Sequence, residues 1–437
     1  MTSEERRKIR YIRRHDRREY RKTHAQPWPD NYERKCQRTG GRFNSAPRPY
    51  TKTEKWRSKV SKCDNFDWVF SHSHIWGSHF KCRKGKSWKG SVQRFTLRAP
   101  MTIGEMRKRL MALRYKLGGL TCFWTRERGT LRFIRAQKYN DRVISYCFYA
   151  NCILPGICRH FIYDNGASLE NKGQSFTVRR AIVDLRNYHL KYGNQGYVLL
   201  FDFKKFFDSV PHDVVKRSIR KAFTDGRIVA LADQMIDQYG AVGLGLGSPV
   251  NQALALESAD LLDHYIQERL TAEAREVFGP DIPPVGRYYA RYMDDGRLYY
   301  PRKDVLKWAL ERIREVCASI GITLNAHKTQ IAPIKRFTWL KIKFILTDSG
   351  KIIRKIDRRS VVRQRRKLKK LRARVDAGKM PESAVYASFQ SWVGHAKQFN
   401  AYRSIVSMTK LYCSLYSYRP KEGVINIRCG RYYITAA

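Results

Sequence analysis

The chain has 437 residues, with 87 Lys and Arg against 38 Asp and Glu, a formal net charge of +49. Hydrophobic residues at 43% and aromatics at 13% are enough to build cores, which excludes wholesale disorder. So large a positive charge repels itself unless a polyanion neutralises it, and no run approaches the roughly 18 apolar residues that span a bilayer, so nucleic acid is the expected partner and no membrane is.

In chain order, residues 1–62 hold 20 Lys and Arg against 7 Asp and Glu, with four prolines and a Gly pair. They read as a short basic helix followed by an extended arm that grips RNA and orders on binding, in place of a merely solvated tail. The N-terminus has no apolar signal segment. Helical spacing appears over Ile103–Leu117 and Arg142–Leu154, with a hairpin over Leu120–Ile134 between them. Residues 196–203 form a short buried strand ending at Asp202. Pro249–Leu270 is helical, and Tyr288–Tyr300 is a hairpin with Met293-Asp294-Asp295-Gly296 at its tip. Lys303–Ile320 is an amphipathic helix; Ile322–Leu324 and Ile331–Ile334 read as strands. Phe337–Leu346 and Lys351–Ile356 read as a hairpin turning at Asp348-Ser349-Gly350, and Asp357 to about Tyr416 as helices. Residues 351–376 hold 13 Lys and Arg against 2 Asp. No C-x-x-C occurs among the ten cysteines, and Cys147, Cys152 and Cys158 are poorly spaced for zinc. Reduced, buried thiols in a cytoplasmic protein are expected.

Two acidic clusters carry the chemistry: Phe201-Asp202-Phe203-Lys204-Lys205-Phe206-Phe207-Asp208 and Tyr292-Met293-Asp294-Asp295. A carboxylate at a strand end or in a tight turn is costly unless it is solvated, paired or bound to metal. If Asp202 and Asp294 lie on neighbouring strands, their carboxylates converge and could hold two Mg2+ ions about 3.5–4 Å apart. Such a pair would acidify an attacking 3′-hydroxyl and neutralise a triphosphate.

A Tyr-Met-Asp-Asp hairpin lying 92 residues after an Asp-x-x-x-Phe-Phe strand end resembles the palm of a reverse transcriptase. Further segments resemble the same family in the expected order over roughly residues 120–418. The resemblance implies an α+β right-hand polymerase, with fingers, a palm whose antiparallel sheet carries the YMDD hairpin, and a helical thumb. The expected domains are the basic arm over 1–62, fingers over 63–196, palm over 197–350, thumb over 351–418 and a C-terminal tail over 419–437. Asp202, Asp294 and Asp295 take the catalytic carboxylate positions, and they with Phe203 form the metal site for two Mg2+ ions, Mn2+ being an alternative. Phe207 falls where a bulky ring would exclude a 2′-hydroxyl and select deoxynucleotides, against the plainer reading of core packing. Gly247-Ser248-Pro249-Val250-Asn251-Gln252 resembles the loop-to-helix motif at the template, with Gln252 on the dNTP side; alone, it is also an ordinary helix start.

Lys328, in Ile322-Thr-Leu-Asn325-Ala-His-Lys328-Thr, would protonate or neutralise the leaving pyrophosphate. Phe337-Thr-Trp-Leu340-Lys341 resembles the primer grip, with Lys341 in place of the usual glycine. Arg126, Arg128, Arg132 and Arg135 sit in a fingers hairpin; Arg132 and Arg135 are the expected triphosphate contacts. Phe161-Ile-Tyr163-Asp-Asn-Gly166-Ala-Ser168 resembles a fingers motif along the template. Tyr292 and Met293 would touch nucleic acid, as would Arg365, Arg366, Lys369 and Lys370 on a thumb helix whose apolar face is Val361, Leu368, Leu371 and Val375. His395 is expected to be structural.

The chain ends about 20 residues after the thumb-like region, leaving no expected room for RNase H, integrase or a nuclease. The long basic arm and Gly243-Leu-Gly-Leu-Gly247-Ser-Pro-Val-Asn-Gln252 most resemble bacterial defence-associated, or "unknown group", reverse transcriptases. The resemblance implies a structured non-coding RNA template, dNTP substrates, a cDNA product, a cytoplasmic location and a role against phage. Retron-like or diversity-generating enzymes, protein-primed or template-independent synthesis, and an inactive RNA-binding protein are the alternatives.

Overall fold

The computed structural model describes residues 52–127 and 130–418, and the backbone of two strands, Ile425–Cys429 and Tyr432–Ala436. By its internal contacts the chain divides into Met1–Lys55 and Trp56–Ala437. Most of the basic arm, Arg128, and the side chains of the C-terminal tail lie outside the described residues. The account below concerns the second unit.

Its first part is helical. Asn65 caps Phe66–Val69 by accepting from the Trp68 amide at 2.8 Å. Helices His72–Arg83, Gly90–Leu97 and Ala99–Met111 follow. The last of these stops six residues short of the expected Leu117, because Leu113 enters the left-handed region at φ 55° and the chain turns out of the helix. The hairpin is present as β1 (Leu120–Glu127) and β2 (Thr130–Gln137). The next helix begins earlier than expected, at Tyr139, and widens into a π turn over Tyr149–Ile153 before ending at Gly156. Cys147, Cys152 and Cys158 are free and buried there, and burial pushes each thiol upward.

The central sheet is antiparallel, in the order β4 (Tyr289–Tyr292), β5 (Asp295–Tyr300), β3 (Tyr197–Asp202), β6 (Gln330–Pro333). Strand β3 is central and covered on both faces, which is why it reads as a continuous apolar run. Leu199 and Phe201 join the core that includes Val305 and Leu306 of helix Lys303–Ser319. Val198 and Leu200 join the core that includes Leu185 and Tyr188 of helix Gln174–Tyr192. Alternation along one strand thus ties the sheet to two helical layers.

Three expectations change in this region. The hairpin tip is the pair Met293–Asp294; Asp295 and Gly296 already belong to β5. Ile322–Leu324 is not a strand, since only Leu324 bridges to Phe203. The expected hairpin over 337–356 is a three-stranded sheet of β7 (Arg336–Trp339), β8 (Ile342–Leu346) and β9 (Ile352–Ile356). Its extra turn is Leu340–Lys341, with φ of 50° and 62°.

After β9 come helices Arg358–Asp376, Glu382–Ala396 and Tyr402–Leu415. Asp357 caps the first by accepting from the Arg359 amide at 2.9 Å. Leu368 is buried, and Val361, Leu371 and Val375 pack on the same core, so the apolar stripe faces inward. His395 lies on the second helix, edge-on to Phe399 at 5.1 Å between ring centroids. Among the described residues no helix is long and apolar enough to cross a membrane.

Candidate active site

Strand pairing brings the acidic residues together. Asp202 ends β3 and is the register partner of Asp295, the first residue of β5. Asp294 sits one position earlier in the β4–β5 turn, where Met293 takes φ 56°. The turn is tied to β3 by the Phe203 amide, which donates to the Asp294 carbonyl at 3.1 Å. Gly296 permits this packing: a Cβ there would lie 2.2 Å from the Phe201 ring, so any side chain would push the two strands apart.

Oxygen atoms of Asp202, Asp294 and Asp295 all lie within 4.8 Å of one another. Asp202 is buried and the other two are half-buried. Burial, and then the Asp202 charge, pushes Asp294 upward; the Lys328 and Arg132 charges oppose it. Burial and the two neighbouring carboxylates push Asp295 up to about 7. Three crowded carboxylates with hard oxygen donors and no nitrogen or sulfur ligand suit Mg2+. A divalent ion bound there would neutralise that repulsion and polarise phosphate oxygens. Phe203 could contribute only its carbonyl, because its ring is buried against Phe201 and Phe206.

Lys328 closes the cluster. Its ammonium donates to both carboxylate oxygens of Asp202 at 2.9 Å, and this bond raises its pKa. The loop before it makes the approach possible. Asn325 donates its amide to the Asp202 carbonyl at 2.7 Å and its side-chain Nδ2 to Oδ1 at 3.4 Å. Its own carbonyl accepts from the amides of Lys328 at 3.1 Å and Thr329 at 2.9 Å, which turns the chain back over Asp202. Asn325 stood in the sequence motif without a role; the structure makes it the anchor of Lys328.

The expected nucleotide contacts are distributed unevenly. Arg132 and Arg135 oppose Thr125 and Cys122, so they lie on opposite faces of the β1–β2 hairpin. The charge of exposed Arg132 reaches Asp294. Arg135 instead donates to the Tyr239 carbonyl and lies 5.3 Å over that ring. Phe207 is half-buried in a 3-10 turn, and its carbonyl accepts from the Leu244 amide at 2.6 Å. Gly243 lies so close to Asp208 that a Cβ would meet its carbonyl oxygen at 2.5 Å. The glycine-rich loop is therefore packed directly on the Phe207 turn. It ends at Gly247, with φ 97°, and Pro249 starts the helix that carries Gln252. Gln252 Oε1 accepts from Ser168 Oγ at 2.9 Å.

Tyr292 is half-buried beside Asp295, which helps to raise its phenol. Lys341 occupies a left-handed turn position, and its charge lowers Asp295. Arg365, Arg366, Lys369 and Lys370 are exposed on helix Arg358–Asp376.

Two buried ion pairs behind the hairpin were not foreseen. Arg291 is 0% exposed; its Nε and Nη2 donate to Asp263 at 2.8 and 2.6 Å, and its Nη1 donates to the Met293 carbonyl at 2.9 Å. The Tyr289 hydroxyl donates to the same carboxylate at 2.7 Å. Arg297 donates to Asp184 at 2.5 Å and stacks between Tyr299 and Trp339. Asp263 stands among apolar helix residues, a local sign that a partner is required, but nothing in the sequence says which cation supplies it.

Residues 159–344 match the family described as reverse transcriptase (RNA-dependent DNA polymerase). Comparison with curated proteins finds no match. The matched span contains all three carboxylates, Lys328, the glycine-rich loop and the sheet that aligns them. The chain therefore carries a reverse transcriptase domain, with the right-hand polymerase fold that this implies, and is an enzyme of the RNA-directed DNA polymerase class, a nucleotidyltransferase.

Proposed function

We propose that the chain copies a dedicated structured RNA into cDNA by two-metal phosphoryl transfer. The observation that supports this best is the convergence of Asp202, Asp294 and Asp295 with Lys328 bonded to Asp202. In this reading Asp202 and Asp294 hold Mg2+, with Asp295 a less direct ligand and the Phe203 carbonyl available as a further one. Lys328, held beside the carboxylates by its bond to Asp202, would protonate the leaving pyrophosphate or neutralise its charge. Arg132 faces the triphosphate, Phe207 and Gln252 border the nucleotide, and Gly247, Ser248, Pro249, Tyr292 and Met293 border the template and primer end. Lys341 and the thumb cations Arg365, Arg366, Lys369 and Lys370 track phosphates.

A structured non-coding RNA partner is supported by the basic residues 1–62, net +13 as counted from the sequence. A bacterial, cytoplasmic, anti-phage role rests on the resemblance of that arm and of the Gly243–Gln252 segment alone. Primer extension on an RNA template with dNTPs and Mg2+ tests the core of the reading. DNA product that disappears in Asp294→Ala supports it; no product, or an Asp294→Ala variant as active as the parent, contradicts it. Sequencing the RNA and DNA that co-purify with the protein tests the dedicated template.

A further inference from the structure

The loop before helix Gln174–Tyr192 is fastened to the edge of the central sheet. The Gly166 amide donates to the Arg291 carbonyl at 3.0 Å and the Arg291 amide to the Asp164 carbonyl at 3.3 Å, so Asn165 bridges to β4 two residues before Met293. The Lys172 ammonium donates to the Tyr163 and Asn165 carbonyls at 2.8 and 3.0 Å. The Gly173 amide closes the loop on the Gly166 carbonyl at 2.7 Å. Whatever this loop carries is therefore held at a fixed place beside the catalytic turn.

It carries Ser168, in a left-handed conformation with φ 51°. Serine adopts that conformation only where its surroundings impose it, and such residues cluster at functional sites. The Tyr149 hydroxyl holds the Ser168 backbone by donating to its carbonyl at 2.9 Å. Tyr149 is itself buried, at the start of the π turn Tyr149–Ile153, a helix irregularity that recurs at functional sites.

The Ser168 hydroxyl then donates to Gln252 Oε1 at 2.9 Å. A glutamine amide offers an acceptor oxygen on one side and two donors on the other, and half a rotation of the amide exchanges them. With the oxygen engaged by Ser168, Nε2 is the side left over, and it has no partner among the described residues. Tyr149, Ser168 and Gln252 thus form one chain of bonds from a helix, through a loop pinned to β4, to the helix Pro249–Ser258.

We propose that Ser168 is a positioning residue for nucleotide binding: it fixes the amide of Gln252 so that Gln252 presents only N–H donors to the incoming dNTP. The inference rests on the reading that Gln252 borders the nucleotide. Ser168 touches no substrate in this scheme, and its whole effect passes through Gln252.

That dependence is what the experiment measures. The full chain is loaded with an RNA template and a primer ending in a dideoxynucleotide, so that no chemistry follows, and the complementary dNTP is titrated by calorimetry with Mg2+. Gln252→Ala and Ser168→Ala should each weaken dNTP binding about 3–10-fold, the range for one neutral hydrogen bond. Gln252→Ala/Ser168→Ala should match Gln252→Ala within about twofold, the ordinary error of additivity. Ser168→Gly, which lacks the hydroxyl but adopts positive φ freely, should behave like Ser168→Ala. Primer–template affinity, read by fluorescence anisotropy, should stay within about twofold of wild type in every variant.

Ser168→Ala binding dNTP like wild type, or weakening it as much without Gln252 as with it, would overturn the proposal. So would a parallel loss of primer–template affinity, because the loop as a whole would then be disturbed. If Ser168→Ala fails to fold, Tyr149→Phe carries the same cycle with a smaller loss. Gln252→Ala at wild-type affinity would sink the reading of Gln252, and the proposal with it. A wild type that binds dNTP but extends no ordinary primer would count against the polymerase reading alone, since the binding cycle would still decide the role of Ser168.

Discussion

The Lys328 ammonium lies 2.9 Å from each carboxylate oxygen of Asp202, on the open side of a cluster whose other members are Asp294 and Asp295. It supplies part of the positive charge that three crowded carboxylates need. Lys328→Ala should therefore lower single-turnover nucleotide incorporation by about 10²–10⁴-fold, the range for losing a positioned acid. The same variant should gain more thermal stability from Mg2+ than wild type does, because its carboxylates lack their internal cation. Differential scanning fluorimetry with and without Mg2+ checks the second part. An equal gain in both proteins would show that Lys328 does not offset the cluster's charge.

Arg291 and Asp263 are both fully buried, and Arg291 also holds the Met293 carbonyl in the turn before Asp294. Arg291→Met leaves the Asp263 carboxylate without its cation in the core. It should cost about 3–5 kcal/mol in urea denaturation, as loss of one partner of a buried pair does. Arg291→Met/Asp263→Leu should recover much of that stability, because no unpaired charge remains. Its activity should stay low, since the Met293 carbonyl is still unanchored. Recovery of stability and activity together would mean that the turn holds itself.

A half-buried acid sets a pH dependence. Glu257, in helix Pro249–Ser258, is pushed from 4.5 up to about 7 by burial and by Asp260, with Ser218, His264 and Lys221 opposing. Asp260 is raised to about 6 by burial and Asp263, against His264 and Arg291. For an acid whose folded pKa is raised, the folded state holds the extra proton, so stability falls as pH rises. The fall should run from about pH 4.5 to about 7 and then level off, with Glu257 contributing about 2–3 kcal/mol. Glu257→Gln should remove that share and be more stable than wild type at pH 8, leaving the smaller slope of Asp260. Parallel wild-type and variant curves would contradict the assignment.

How much of this was legible depended on whether the signal was local. The strand ending at Asp202, the Tyr292–Asp295 hairpin and the apolar stripe Val361, Leu368, Leu371 and Val375 follow from periodicity and spacing, and all three appear in the fold. The role of Asn325 did not, because it depends on a loop folding back on a strand 123 residues earlier. Arg291 and Asp263 are separated by 28 residues and meet only once the helix covers the sheet. The expectation that Arg132 and Arg135 act together overlooked the period of two in their strand, which sends them to opposite faces. The stop of helix Ala99–Met111 was hidden for another reason: Leu113 is neither glycine nor asparagine, yet it takes the left-handed conformation.

The turn at Leu340–Lys341 offers a direct measure of such hidden strain. Both residues have positive φ, as the two central positions of a tight hairpin turn require, and neither is a residue that adopts it cheaply. Asn-Gly is the favoured pair for that geometry. Leu340→Asn/Lys341→Gly should thus stabilise the chain by about 0.5–1 kcal/mol after the extra freedom of glycine in the unfolded state is deducted. It should also remove the Lys341 charge near Asp295, and with it one cation beside the expected primer path. The expected outcome is a higher melting temperature together with weaker, less salt-sensitive binding of a primer–template. Lys341→Arg keeps the charge and the strained turn, so it should match wild type in both measurements. A double variant that melts below wild type would show that Leu340 packing outweighs the backbone strain.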